Sequence, residues 1–188
     1  MTGCGFIDLR SFLDKITLET GVGQVSAISS IRASNLTEGC ISLKSINFEP
    51  RLPPGGSVRN CTAVLLSIDG SIEIQSLQLE LSIASKALGS SCTGQYLDAQ
   101  EWSDQGKLVV IGTEDSEALV YRIPKLREEN IVIVDFTRHS LTLKLKDLPK
   151  LTRPSFHFII AENDDPEPVD DSAWFAVDQN HDYILEQF

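Results

Sequence analysis

The residues with the most distinctive chemistry lie after Arg153. This segment contains nine carboxylates and neither lysine nor arginine. Carboxylates crowded on one segment repel one another, and docking of a positively charged partner relieves this repulsion and accelerates association. Two aromatic residues also lie in this segment, and aromatic anchors inside a charged rim are typical of interaction hot spots. The sequence therefore predicts a protein-binding surface formed by Asp164, Asp165, Glu167, Asp170, Asp171, Trp174 and Phe175.

The same residues also fit a purely structural interpretation. In it, residues 174–177 form a short last strand of the core, and the carboxylates form a solvated loop and tail that keep the protein soluble. Both interpretations stay open at this point. The first one expects a partner protein with a basic surface, and it gives this chain the role of an inhibitor, of an immunity-like protein or of a complex subunit.

A cation site is the third possible use of the acidic residues. Asp178, Asn180 and Asp182 place oxygen ligands at alternate positions, as the start of a calcium-binding loop does. However, Tyr183 occupies the position at which such a loop has glycine, and no closing bidentate glutamate follows. We therefore expect no bound metal or cofactor and keep these three residues only as weak candidate ligands.

The motifs of known catalytic sites are missing or incomplete. Residues 21–23 lack the third glycine of a dinucleotide-binding turn, and neither a phosphate-binding loop nor a Gly-x-Ser-x-Gly elbow occurs. Cys92 lies in the small-residue segment 89–94, where a nearby histidine could activate its thiol. The three histidines are expected in a turn, on the outside of a strand and in a solvated tail: His139, His157 and His181. We therefore expect no enzymatic activity and rank a hydrolase that uses Cys92 or the carboxylates third.

Composition excludes several classes of function. The 188 residues carry 16 basic and 27 acidic side chains, a net charge of -11, so the basic face that direct nucleic-acid binding requires is missing. No apolar run approaches the ~18 residues of a membrane span, and the first residues do not resemble a secretory signal. Cys4, Cys40, Cys61 and Cys92 are widely spaced, and we expect free thiols in an intracellular, cytoplasmic protein, with the nucleus as the alternative location.

Alternating apolar and polar residues predict about nine short strands. Asp69-Gly70 is the strongest hairpin signal between two such runs, since a type I′ turn needs positive φ at both central residues. A second hairpin is expected between residues 108–111 and 118–123, and a third one turns at residues 137–140.

Other patterns predict strand irregularities and two helices. Phase shifts in the alternation indicate bulges within residues 43–46 and near Gln75. Residues 131–136 are apolar on both faces and predict a central strand that is covered on both sides. Short helices are expected over residues 6–16 and 95–105.

These elements predict a mainly-β fold, an antiparallel β-sandwich or barrel. We expect a single domain over residues 1–160, followed by an acidic loop and C-terminal extension, residues 161–188, packed on it or partly mobile. Residues 101–122 resemble the inner hairpin of a β-propeller blade, but the missing second copy disfavours a propeller. The second-ranked function is binding of a small ligand or carbohydrate, with Trp102 and Tyr96 as stacking platforms.

Overall fold

Two antiparallel sheets form the framework in the computed structural model, which describes residues 15–34, 39–93, 96–123, 126 and 131–188. The strands are β1 (Ile16–Glu19), β2 (Gln24–Ser34), β3 (Ile41–Asn47), β4 (Asn60–Ile68), β5 (Ser71–Ala84), β6 (Ser90–Thr93), β7 (Leu97–Asp104), β8 (Lys107–Glu114), β9 (Ile131–Thr137), β10 (Ser140–Thr152) and β11 (Ser155–Asp164). Sheet A has the order β1-β2-β5-β10-β9, and sheet B has the order β3-β4-β11-β8-β7-β6. The sandwich-like, mainly-β prediction is therefore confirmed, and the barrel and propeller alternatives are not.

Three short helices complete the described residues, namely α1 (Ser116–Arg122), α2 (Ser172–Val177) and α3 (His181–Leu185). The Asp115 carboxylate accepts a hydrogen bond from the Ala118 backbone at 2.8 Å and caps α1. The Asn180 side chain caps α3 in the same way through the Asp182 backbone at 2.7 Å. None of the helices in the described residues is long and apolar enough to cross a membrane.

A folded ribbon of two long segments connects the sheets. Residues 60–84 pair with residues 140–164, since β4 pairs with β11 in sheet B and β5 pairs with β10 in sheet A. Both segments change sheets at one corner, where the Arg153 backbone donates to Gly70 at 2.7 Å. Gly70 has φ +106°, a conformation that glycine adopts readily because it has no Cβ. The hairpin predicted at Asp69-Gly70 is therefore wrong, because this turn makes the corner instead.

The main core lies between the two sheets. Trp102 is fully buried there, and its indole N–H donates to the Arg138 carbonyl at 3.0 Å. A platform for ligand stacking must be exposed, so the expectation for Trp102 is wrong. Tyr96 is half exposed, but it cannot form an exposed stacking platform together with Trp102, because Trp102 is buried.

A second apolar cluster covers the outer face of sheet B. It is formed by Cys61, Ala63, Leu97, Ala99, Leu108, Val110, Ile159, Ala161, Ala173, Ala176, Val177 and Ile184. Small residues predominate on the strands, and this lets α2 and α3 lie close to the sheet. Strands β4, β8 and β11 of sheet B are therefore buried on both faces, which explains their apolar runs.

The two buried faces of sheet B also explain why one predicted bulge is absent. Leu43 packs in the core between the sheets, whereas Ile46 and Phe48 pack on the outer cluster. The pairing of β3 with β4 runs from Ile41 to Asn47 without a register shift. The bulge predicted within residues 43–46 is therefore wrong, because the strand contributes to two cores in turn. The bulge near Gln75 is confirmed, since Arg32 pairs with Ser76 and the next residue, Ala33, pairs with Ile74.

Several other predicted elements need correction. Residues 95–105 belong mainly to strand β7, and residues 118–123 belong mainly to helix α1. Residues 131–136 lie in β9, which pairs with β10 at the edge of sheet A within the described residues. The hairpin turn at residues 137–140 is confirmed, because Thr137 pairs with Ser140. Of the helix predicted over residues 6–16, residues 6–14 lie outside the described residues, and Ile16 begins β1.

Gly112 offers a test of the close packing of α2 on sheet B. A Cβ added to Gly112 would lie 2.8 Å from Cβ of Val177, which is fixed in the helix. We expect Gly112→Ala to reduce the free energy of unfolding by about 1–3 kcal/mol, because the helix has to move outward. Chemical denaturation measures this change.

Gly21→Ala is the matched control for this substitution. Its added methyl group would meet only the flexible side chain of Lys107 among its three nearest contacts. We expect a smaller loss of stability from it, and equal losses from both variants would contradict the packing argument.

Candidate functional site

The acidic C-terminal residues lie on a folded part of the molecule. Residues 172–177 form helix α2 rather than the short strand of the structural interpretation, because Ala173, Ala176 and Val177 follow a helical spacing onto sheet B. Helix α3 adds Ile184 to the same cluster. Strand β11 extends through Asp164, so the first two of the nine carboxylates, those of Glu162 and Asp164, lie within sheet B.

Four of the nine carboxylates are held by internal hydrogen bonds. Asp164 pairs with Arg59 at 2.6 Å and with Lys107 at 2.8 Å, and these cations lower the pKa of its carboxyl group. The side chain of Asp165 accepts a hydrogen bond from Ser103. Glu162 and Glu167 accept hydrogen bonds from asparagine side chains and backbone N–H groups. These four carboxylates therefore contribute to the architecture.

The other five carboxylates are exposed and share their segment with exposed apolar side chains. Within the described residues, none of the five forms an ion pair. We call this set the C-terminal surface; it comprises Val169, Asp170, Asp171, Phe175, Asp178, Asp182, Leu185, Glu186 and Phe188. Its four apolar members each expose between 41% and 46% of their accessible area.

The two predicted aromatic anchors differ in their surroundings. Phe175 is 46% exposed and belongs to the C-terminal surface. Trp174 is half-buried against the outer cluster, and its indole N–H donates to Glu101 at 2.8 Å. Phe175 is therefore the aromatic residue of this pair that is available for a contact.

Contacts with the loop after β3 hold the helices in place. The Arg51 guanidinium lies 4.0 Å from the centre of the Tyr183 ring. The Tyr183 hydroxyl donates to the Glu49 carbonyl at 2.7 Å. Gln179, between α2 and α3, exchanges two 3.1 Å hydrogen bonds with the Arg51 backbone. These contacts attach α3 and the connection between α2 and α3 to the loop after β3.

A buried polar group lies beneath α3, and we call it the histidine cluster; it comprises Glu114, Arg122, Ser155, His157 and His181. The Nδ1 atoms of His157 and His181 are 2.7 Å apart, and Nε2 of His181 is 2.9 Å from the Ser155 hydroxyl. One carboxylate oxygen of Glu114 lies 3.6 Å and 3.8 Å from the two Nδ1 atoms. Arg122 donates to both oxygens of Glu114 at 2.7 Å.

Both imidazoles of the histidine cluster are neutral at pH 7. Burial and, to a smaller extent, the nearby Arg122 charge lower the pKa of His157 to about 3. Burial also lowers the pKa of His181 to about 3, with smaller contributions from His157 and Arg122 that Glu114 opposes. Because the two Nδ1 atoms are in hydrogen-bond contact, one of them carries a proton and the other accepts it.

The sequence prediction for these two histidines is wrong. His157 was expected on the outside of a strand and His181 in a solvated tail, yet both are buried. A signal for His157 is present, since it interrupts an apolar run in a strand that is covered on both faces. His139 is exposed in the turn between β9 and β10, as predicted.

The remaining candidate residues do not form a site in the described residues. Asn180 caps α3 through its side chain, so the alternate oxygens around it belong to a helix start. Cys92 lies in strand β6 rather than in a loop. Cys61 is buried, which raises the pKa of its thiol to about 12 and keeps it protonated. Cys40 is half-buried, and Cys4 lies outside the described residues.

The histidine cluster predicts a loss of stability in acid for the metal-free protein. Unfolded histidine has a pKa near 6.5, so between pH 6.5 and about 3 the unfolded chain binds protons that the folded chain excludes. We expect the free energy of unfolding to fall from pH 7 to pH 5 by about 2 kcal/mol for each histidine. Denaturation with a chelator present measures it.

A variant separates this effect from other titrating groups. Burial and Asp115 raise the pKa of Asp98 to about 6, and this shift opposes part of the loss. We therefore compare the pH dependence of His181→Gln, which removes one histidine, with that of exposed His139→Gln. A wild-type slope that persists in His181→Gln would contradict the prediction.

Comparison with known proteins adds no assignment to this site. No family model, no curated protein and no solved structure matches the chain. The function of this chain is therefore inferred from the geometry of the described residues.

Proposed function

We propose that this protein is a non-enzymatic binding module that recruits a basic partner protein through its C-terminal surface. The observation that carries the proposal is the coincidence of exposed carboxylates that form no ion pair and exposed apolar side chains on helices α2 and α3 and the residues that flank them. Carboxylates steer a positively charged partner and accelerate its approach. Apolar contacts then supply the free energy that exposed charges alone do not supply.

The proposed contact differs in its residues from the surface expected from the sequence. Asp164, Asp165 and Glu167 make internal hydrogen bonds, so we assign them to the support of the surface. Phe175 replaces Trp174 as the preferred anchor, because a substitution of Trp174 would also disturb the packing of α2.

Phe175→Ala tests the apolar anchor. We expect a partner isolated with the wild-type protein to bind this variant about 30-fold more weakly, which corresponds to ~2 kcal/mol for a hot-spot aromatic residue. Affinity purification from the native cell, followed by a binding titration with the isolated partner, measures the loss.

Tyr121→Ala is the matched control for this test. Tyr121 is an aromatic residue on α1 that is 89% exposed and lies outside the C-terminal surface. We expect unchanged binding by this variant. Equal losses from Phe175→Ala and Tyr121→Ala, or no loss from either, would contradict the proposed surface.

The paired change Asp170→Asn and Asp171→Asn tests the role of charge. Asp171 has φ +63°, a backbone conformation that asparagine tolerates, so the start of α2 is kept. We expect slower association and a weaker dependence of binding on salt, because two steering charges are removed. Binding by the wild-type protein that does not weaken as salt increases would contradict a basic partner.

A further inference from the structure

The histidine cluster contains the side-chain types that a transition-metal ion binds. The nearest ligand atoms of Glu114, His157 and His181 all lie within 4.8 Å of one another. We propose that these three residues form a zinc-binding site, with two imidazole nitrogens and one carboxylate oxygen as ligands. In a tetrahedral site this set leaves a fourth position open. The proposal is independent of the proposed partner binding.

The distances between the three donor atoms fit a small ion. Ligand atoms of tetrahedral zinc lie about 3.3 Å apart when each is about 2.0 Å from the metal. The observed separations of 2.7, 3.6 and 3.8 Å lie on both sides of this value. The two Nδ1 atoms therefore have to separate by about 0.6 Å and the carboxylate has to approach slightly. A small shift of α3, a helix of five residues, would move His181, and a small rotation of the Glu114 side chain would bring its carboxylate closer to His157.

The protonation state of the cluster suits metal binding. Zinc binds neutral imidazole, and burial keeps both histidines neutral at pH 7. Before zinc binds through both Nδ1 atoms, the histidine that carries a proton on Nδ1 has to exchange it for one on Nε2, so that each ring proton lies on Nε2 in the bound state. For His181 this proton then donates to the Ser155 hydroxyl, 2.9 Å away. Such an outer hydrogen bond orients the ligating histidine in many metal sites.

Arg122 has two opposing effects on the proposed ion. Its two 2.7 Å hydrogen bonds fix the Glu114 carboxylate with one oxygen directed at the histidines. Its positive charge, however, repels a cation at close range. We therefore expect zinc to bind reversibly and more weakly than in structural sites with four protein ligands.

Zinc titration of the metal-free, full-length protein tests the site. We expect one ion per chain by calorimetry and a melting midpoint that rises with free zinc, since binding to the folded state stabilises it. His181→Gln should weaken zinc binding at least tenfold. His139→Gln, which changes the exposed histidine, should bind zinc as the wild-type protein does.

Cobalt in place of zinc gives a measurement on the unaltered protein. Two imidazoles bound through Nδ1 should give two exchangeable Nε2–H proton resonances with large paramagnetic shifts. A ligand set of nitrogen and oxygen should show no thiolate-to-metal absorption band, which separates this site from binding by cysteines.

Three results would overturn the proposal. They are no saturable zinc binding by the wild-type protein, equal zinc affinity in His181→Gln, and a thiolate band in the cobalt spectrum. Where His181→Gln does not fold, the wild-type cobalt spectrum decides between the proposal and its rejection.

Discussion

Burial of sheet B on both faces is the constraint on which the C-terminal part of the molecule depends. The inner face packs against sheet A, and the outer face would expose a continuous apolar area without α2 and α3. Val177 and Ile184 are almost fully buried there, and burial of such side chains stabilises by about 1.5–3 kcal/mol each. The acidic segment is therefore retained on the sheet although its carboxylates repel one another.

This packing produces two chemically different layers in the same helices. The inner side of α3 carries His181 into a buried polar cluster, while its outer side carries Asp182 in the exposed C-terminal surface. The histidine cluster also joins α3 to β11 and to the end of α1. A change in the buried cluster thus acts on the position of the exposed residues. The two proposals concern opposite sides of one structural element, but each rests on its own contacts.

The sequence predicts the strands better than it predicts their partners. Alternation identifies β5 and β10, and it locates the bulge near Gln75, because a change of phase is a local property. The sequence predicts positive φ at both Asp69 and Gly70, and of these two residues only Gly70 has it in the structure. The pattern does not say whether the following strand returns along the same sheet or enters the other one.

The candidate site was less accessible to sequence reasoning. Four apolar residues, 174–177, are compatible with a strand and with one turn of helix, and only the apolar face of sheet B selects the helix. Contact between His157 and His181 requires a particular position of α3, which no spacing encodes. Which carboxylates are paired internally and which are exposed depends on residues that are distant in the sequence, since Arg59 and Lys107 neutralise Asp164.

The folded ribbon has a consequence for how the chain reaches its native state. β4 and β5 form part of their ladders with β11 and β10, whose residues follow more than 55 positions later. During synthesis, residues 60–84 leave the ribosome well before residues 140–164 exist. One side of each early strand therefore stays without its native partner until late in translation, a period in which non-local β-proteins are exposed to aggregation. We expect this topology to fold slowly.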